Sequence, residues 1–277
     1  MKTNRFFALA IAAMFANAAN PLQAQTDIKE QLLVPLTDPA KPGSLKVNLV
    51  NGTIHVTGYT GNQVVIDAVL KSEDKAERQR DEAAGGMKRI TKSGGLELTA
   101  TEENNAVKVT SKMINTPITL NIKVPQKFAL NVSTVNNGDI VIDNVTGELE
   151  IQNVNGDITL NNIAGSAVAN TINGLLKANF KTINTSSPMA FSTLNGNVDI
   201  TIPATAKFDV KLKSDRGEIY SDFDVDVDKS APQATRSAKD GMYKVSIDDW
   251  VKGKINGGGS EIMMKNMNGN IYVRKGK

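Results

Sequence analysis

The sequence predicts an all-β fold: a parallel β-solenoid (β-helix-like) with about 18–22 residues per coil and a short helical insertion. Three observations predict it. Glycine recurs at every ninth residue, from Gly138 through Gly147, Gly156 and Gly165 to Gly174. Asparagine precedes alternate members of that series, at Asn137, Asn155 and Asn173, whereas Thr146 and Ala164 precede the others. Apolar residues stand two, four and seven places after each glycine from Gly138 to Gly165, as in Ile158, Leu160 and Ile163 after Gly156, with Asp157, Thr159 and Asn161 between them. Such alternation makes a short strand with one face inward and one outward. An antiparallel meander could also place Asn-Gly at its hairpins. Two unlike corners per 18 residues follow more directly from a coil of two strands. Asn and Gly accept the geometry of tight corners, and stacked Asn side chains can bond from coil to coil at a spacing of about 4.8 Å.

The elements follow in chain order. Lys2 and Arg5 precede an apolar run from Phe6 to Ala19, then Pro21 and Ala24, which reads as a secretory signal peptide over residues 1–24. Residues 25–43 hold three of the nine prolines and form an extended leading segment. A single β-solenoid domain then spans 44–277, opening with 45–70, where Gly52, Ile54, Val56 and Tyr59 keep the repeat register. Ser72 caps a helix over 72–86, which Gly85 and Gly86 stop. Residues 96–112 read as two strands joined at Glu102 to Asn105. VPQKFALNV at 124–132 echoes IPATAKFDV at 202–210, with Pro125 and Pro203 beginning strands at coil corners. Further corners fall at Asn195-Gly196 and Asn268-Gly269, and residues near 229–241 have loop composition.

Composition excludes several function classes. The 277 residues contain no cysteine, so there is no disulfide framework, thiol nucleophile or lipidated cysteine. Without residues 1–24 the chain carries 30 basic and 29 acidic residues, spread along its length, which is not the basic face of a nucleic-acid binder. After the leader no stretch has the roughly 20 apolar residues of a membrane helix, so the mature chain has no transmembrane segment. His55 is the single histidine and faces outward between Ile54 and Val56, which leaves nothing for a His-rich metal site. Gly257-Gly258-Gly259-Ser260 lacks the Gly-Lys-Ser/Thr ending of a phosphate loop and reads as a tight corner.

The acidic phrase SDFDVDVD at 221–228 places Asp222, Asp224, Asp226 and Asp228 on one strand face and makes them the calcium candidates. Alternate residues on a strand lie nearly 7 Å apart, too far for all four to hold one ion, so a solvated acidic face is favoured and no metal is assigned. Asp139 and Asp157, with Asn197, fall in one outward column a coil apart. The chain beyond the leader holds ten aromatic residues, several in core register, so aromatic stacking of sugars is not advertised. No catalytic or cofactor-binding residue is assigned, and no cofactor is expected.

The apolar-Pro steps at 124 and 202, the NGDI phrases at 137 and 155, SDRGEIYSDF at 214–223 and the INGGGSEIMMKNMNGNIYV ending resemble the bacterial "putative adhesin" family of β-strand-repeat envelope proteins, a domain-of-unknown-function family. The resemblance covers roughly residues 44–275. It implies a β-solenoid, export, and no catalytic residues to transfer.

The expectation is an exported, non-catalytic β-solenoid, periplasmic or at the cell surface, acting as a structural or adhesin-like binding module at the cell envelope. Its candidate partner is an envelope glycan or protein. Two alternatives are a polysaccharide hydrolase or lyase on a β-helix scaffold and a calcium-dependent assembly protein.

Overall fold

The computed structural model describes residues 27–70, 95–184, 187–229, 234–239, 242–247 and 249–276. The expected signal peptide at 1–24 and helical insertion at 72–86 lie outside the described residues. Among the described residues there is no helix, and hence none long and apolar enough to cross a membrane.

The chain runs through β1 (Ile28–Pro35), β2 (Ser44–Asn48), β3 (Gly52–Tyr59), β4 (Gln63–Leu70), β5 (Leu98–Glu103) and β6 (Ala106–Ser111). It continues through β7 (Ile118–Pro125), β8 (Ala129–Thr134), β9 (Ile140–Asp143), β10 (Leu149–Asn153), β11 (Ile158–Gly165) and β12 (Ala167–Asn173). Then come β13 (Leu176–Ile183), β14 (Met189–Asn195), β15 (Val198–Pro203), β16 (Phe208–Ser214), β17 (Ile219–Ser221) and β18 (Asp226–Val227). The last five are β19 (Ala234–Lys239), β20 (Met242–Ile247), β21 (Val251–Ile255), β22 (Glu261–Asn268) and β23 (Ile271–Gly276).

Two sheets result. Sheet A has the order β1-β4-β7-β3-β9-β11-β13-β15-β23-β17, and sheet B has the order β18-β21-β16-β22-β14-β12-β10-β8-β2-β6-β5. From β7 to β18 successive strands alternate between the sheets, and from β8 to β15 each coil contributes one strand to each and pairs in parallel with the next. Ile140, Ile158, Leu176, Val198 and Ile271 are in register along sheet A. Leu130, Leu149 and Ala167 are in register along sheet B. These inward columns, with Phe128, Phe180, Phe191 and Phe208, form one continuous buried core. Burying each such aliphatic side chain contributes about 1.5–3 kcal/mol.

The structure departs from the expected uniform parallel stack in five ways. Both ends are antiparallel: β1-β4-β7 and β5-β6 at one end, β16-β21-β18 at the other. These reversed strands end the stack at β1, β5 and β18, while β17, parallel to β23, ends sheet A at the other edge; β1 carries Lys29, Glu30 and Pro35, residues that discourage further pairing. Spatial order also differs from chain order. The β22-β23 coil sits between β14-β15 and β16-β17, and the β2-β3 coil sits between β6-β7 and β8-β9. Pro125 and Pro203 close β7 and β15 rather than begin strands, and each carbonyl accepts a turn bond from the residue three places on, at 3.0 Å. The acidic phrase is not one strand. It breaks between β17 in sheet A and β18 in sheet B, because Phe223 turns into the core against Phe208, rings edge-on at 5.6 Å. Ser221 Oγ fixes that turn by accepting from Phe223 N at 3.0 Å. Within the segment of loop composition, residues 234–239 pair as β19 with β20.

Candidate binding surface

At the corner between the sheets, side chains bond chiefly to neighbouring coils. A Cβ on Gly138, Gly156, Gly174, Gly196 or Gly269 would lie 2.0–2.2 Å from the carbonyl oxygen of the glycine one coil back. Only hydrogen fits there. At the alternate corner, a Cβ on Gly147 would meet the Phe128 carbonyl oxygen at 2.0 Å, and one on Gly165 would meet that of Gly147 at 3.0 Å.

Asparagine side chains form a ladder beside the glycines. Asn268 donates to Asn195 at 2.7 Å, Asn195 to Asn173 at 2.7 Å, Asn173 to Asn155 at 2.8 Å, and Asn155 to Asn136 at 3.0 Å. Asn137 steps out of that line, with φ 52°, and donates to Asn51 instead. Asn256 lies away from the ladder and donates to the carbonyls of Ala204 and Ala206.

A second column points inward. Thr134, Asn153, Thr171, Thr193, Asn266 and Ser214 each donate to a glycine carbonyl of the adjacent coil, between 2.9 and 3.1 Å. A third follows the glycines. Asp139 Oδ1 accepts from Asp157 N at 2.8 Å, and Asp157 Oδ1 accepts from Leu175 N at 2.7 Å. Asn197 and Asn270 repeat the contact.

The outer face of sheet A carries one continuous row: Gln31, Asp67, Asn121, His55, Val141, Thr159, Lys177, Asp199, Tyr272 and Tyr220. Its last two rungs stand apart chemically. The Tyr220 and Tyr272 rings stack with centroids 5.4 Å apart and an 11° tilt. Arg274 lies over Tyr272 at 4.9 Å and bonds Asp199 through Nε at 2.7 Å. That hydrogen bond and the Asp199 charge raise the Arg274 pKa. Asn270 Nδ2 donates to the Tyr272 hydroxyl at 3.0 Å. Tyr220 is 52% exposed, and β17 ends the sheet, so among the described residues no strand covers its far side.

Sheet B presents a shallow groove of about 600 Å³ edged by Lys46, Asn131, Glu148, Glu150, Ser166 and Val168. The calcium candidates do not converge. Asp222 accepts from Lys275 N at 3.2 Å, Asp226 begins β18, and Asp224 and Asp228 flank that strand. Among the described residues no three His, Cys, Asp or Glu side chains gather closely enough to hold a metal ion. His55 lies mid-row on sheet A, with Asn121 and Val141 as its neighbours.

Sequence reasoning missed the tyrosine pair because 52 residues separate its members. The signal was there: GEIY at 217–220 and GNIY at 269–272 place both tyrosines three residues after a corner glycine. The inward polar column was missed because Asn, Thr and Ser share no single letter, although most stand three residues before a corner glycine.

The family model described as Toastrack DUF4097 matches residues 44–273. A solved structure of a "putative adhesin" from Bacteroides fragilis NCTC 9343 is similar at 13% identity and a TM-score of 0.42, covering 90% of this chain and 98% of that one. A "putative cell adhesion protein" from Clostridium sporogenes ATCC 15579 gives 11% identity and a TM-score of 0.41, covering 91% and 100%. A "putative lipid binding protein" from Parabacteroides distasonis ATCC 8503 gives 10% and 0.28, covering 92% and 98%. No match is found among curated proteins.

Proposed function

The chain belongs to the Toastrack DUF4097 family, and on that footing we propose that it is an exported, non-catalytic binding module of the bacterial cell envelope, periplasmic or at the cell surface. The leader-like residues 1–24 support export. The stiff, ladder-bonded coil is a scaffold that holds outward side chains at fixed positions.

One observation carries the binding reading: the exposed Tyr220 ring, stacked on half-buried Tyr272 and braced through Arg274, Asp199 and Asn270 at the end of sheet A. A pre-positioned aromatic face loses little freedom on binding and suits the apolar face of a sugar ring. The partner is an envelope glycan.

The test is retention of purified envelope polysaccharides by the wild-type protein and by Tyr220→Ala and Tyr272→Ala variants. Retention lost in both variants supports the reading, and equal retention by all three overturns it. Release of oligosaccharide that disappears on replacing Asp222 or Asp224 would instead favour a hydrolase or lyase. Cell fractionation that finds an uncleaved cytoplasmic chain would overturn export.

A further inference from the structure

The outer face of sheet B is apolar where a solvated face would be polar. Val168, Ile172 and Leu194 are 43%, 44% and 42% exposed. Ala190, Met263 and Met267 lie among them, half-buried, on the adjacent strands β14 and β22. Only Asn170, Ser192 and Lys265 interrupt the patch.

The charges around this patch are ordered. Read across five strands from β10 to β16, one row is Glu150, Val168, Ala190, Met263, Lys211, and the row beside it is Gln152, Asn170, Ser192, Lys265, Lys213. The first row is acidic at one end, basic at the other and uncharged at β14; the second runs from neutral Gln152 to Lys265 and to Lys213, whose charge is met within its own chain by Asp249 and by Asp215 at 3.5 Å. A second copy turned about a two-fold axis lying along β14 keeps strand direction and reverses the row. Glu150 of each copy then faces Lys211 of the other, Gln152 faces Lys213, Val168 faces Met263, Ile172 faces Met267, and Leu194 meets its own symmetry mate. A heterologous partner would have to reproduce both the strand spacing and this graded charge, whereas a second copy has both by construction.

We propose that two copies of this chain associate through sheet B, face to face about an axis along β14. This reading is independent of the tyrosine stack, which lies on sheet A. The face spans roughly 20 by 15 Å at ordinary strand dimensions, about 300 Å² per copy and about 600 Å² for the pair, which is below the roughly 1,200 Å² of a standard specific interface and in the range of weak encounters. The dimer is therefore reversible and concentration-dependent.

Sedimentation equilibrium of the purified protein over a wide concentration range tests it. The expected result is a reversible dimer that Leu194→Glu abolishes, since two carboxylates then meet at the axis. Glu150→Lys and Lys211→Glu singly should each weaken dimerisation at least about tenfold, by placing like charges opposite one another. The double variant, which restores opposite charges, should recover most of that loss. Circular dichroism checks that each variant is folded, and the charge-reversal set decides the matter alone if Leu194→Glu is not. A protein that stays monomeric at every concentration, or a double variant no better than the singles, overturns the proposal.

Discussion

The hydroxyl of Thr193 donates to the carbonyl oxygen of Gly174, 19 residues earlier, at 3.0 Å. Thr193 is 6% exposed, so this bond satisfies a backbone acceptor that water reaches poorly. Thr193→Val keeps the shape and removes the donor, and it should cost about 1–3 kcal/mol, the range for stranding a buried polar group. Thr193→Ser should cost less. Urea unfolding of the three proteins measures the difference.

Gly174→Ala isolates the crowding at the corner. The added methyl would lie 2.1 Å from the Gly156 carbonyl oxygen, so adjacent coils must separate locally, at a cost of about 3 kcal/mol or more. Gly95→Ala, where a Cβ meets nothing within 4 Å, serves as the control. Equal melting temperatures for the two variants would contradict the stacked-glycine account.

The amino-terminal end should loosen in acid. Glu102 accepts from Thr37 N at 3.0 Å, Thr37 Oγ1 at 2.9 Å and Asn105 N at 2.8 Å. The backbone bond from Thr37, then that from Asn105, then the Thr37 hydroxyl hold its carboxyl below the ordinary 4.5. A lowered folded-state pKa means that the stabilisation is complete above 4.5 and is lost as the pH falls through the lower folded-state value. Hydrogen exchange at the Thr37 and Asn105 amides should therefore quicken below that pH. Glu102→Gln should remove the pH dependence.

Calcium should leave the melting temperature unchanged. Asp139 and Asp157 each have one carboxylate oxygen bonded to a backbone N–H of the next coil. Asp157→Ala should destabilise by about 1–2 kcal/mol through loss of the Leu175 bond, because hydrogen bonds to charged groups are among the stronger ones, while Asp157→Asn should retain most of it. Titration calorimetry with calcium and thermal melts of both variants check the two halves.

The coil was legible from Gly138 to Gly174 because a period of nine fixes both the corner and the inward residue, and one misplaced letter would turn a strand inside out. The ends were not. A sequence period says which residues share a column but not which coil stacks on which, so the placement of Asn268 against Asn195, 73 residues apart, could not be read from it. The acidic phrase failed for a related reason. Strict alternation at Phe223, Val225 and Val227 describes a strand equally well in either sheet, and only the Phe208 ring decides that the chain leaves sheet A there.

The interleaving of β22-β23 between earlier coils has a consequence in time. Because β16 and β17 dock on β22 and β23, which begin only at Glu261, their coil cannot close until residues 261–276 have been made. Long-range pairing of this kind folds slowly. A nascent chain would thus hold β16 and β17 without their parallel neighbours until residues 261–276 follow, which delays completion of that part of the stack.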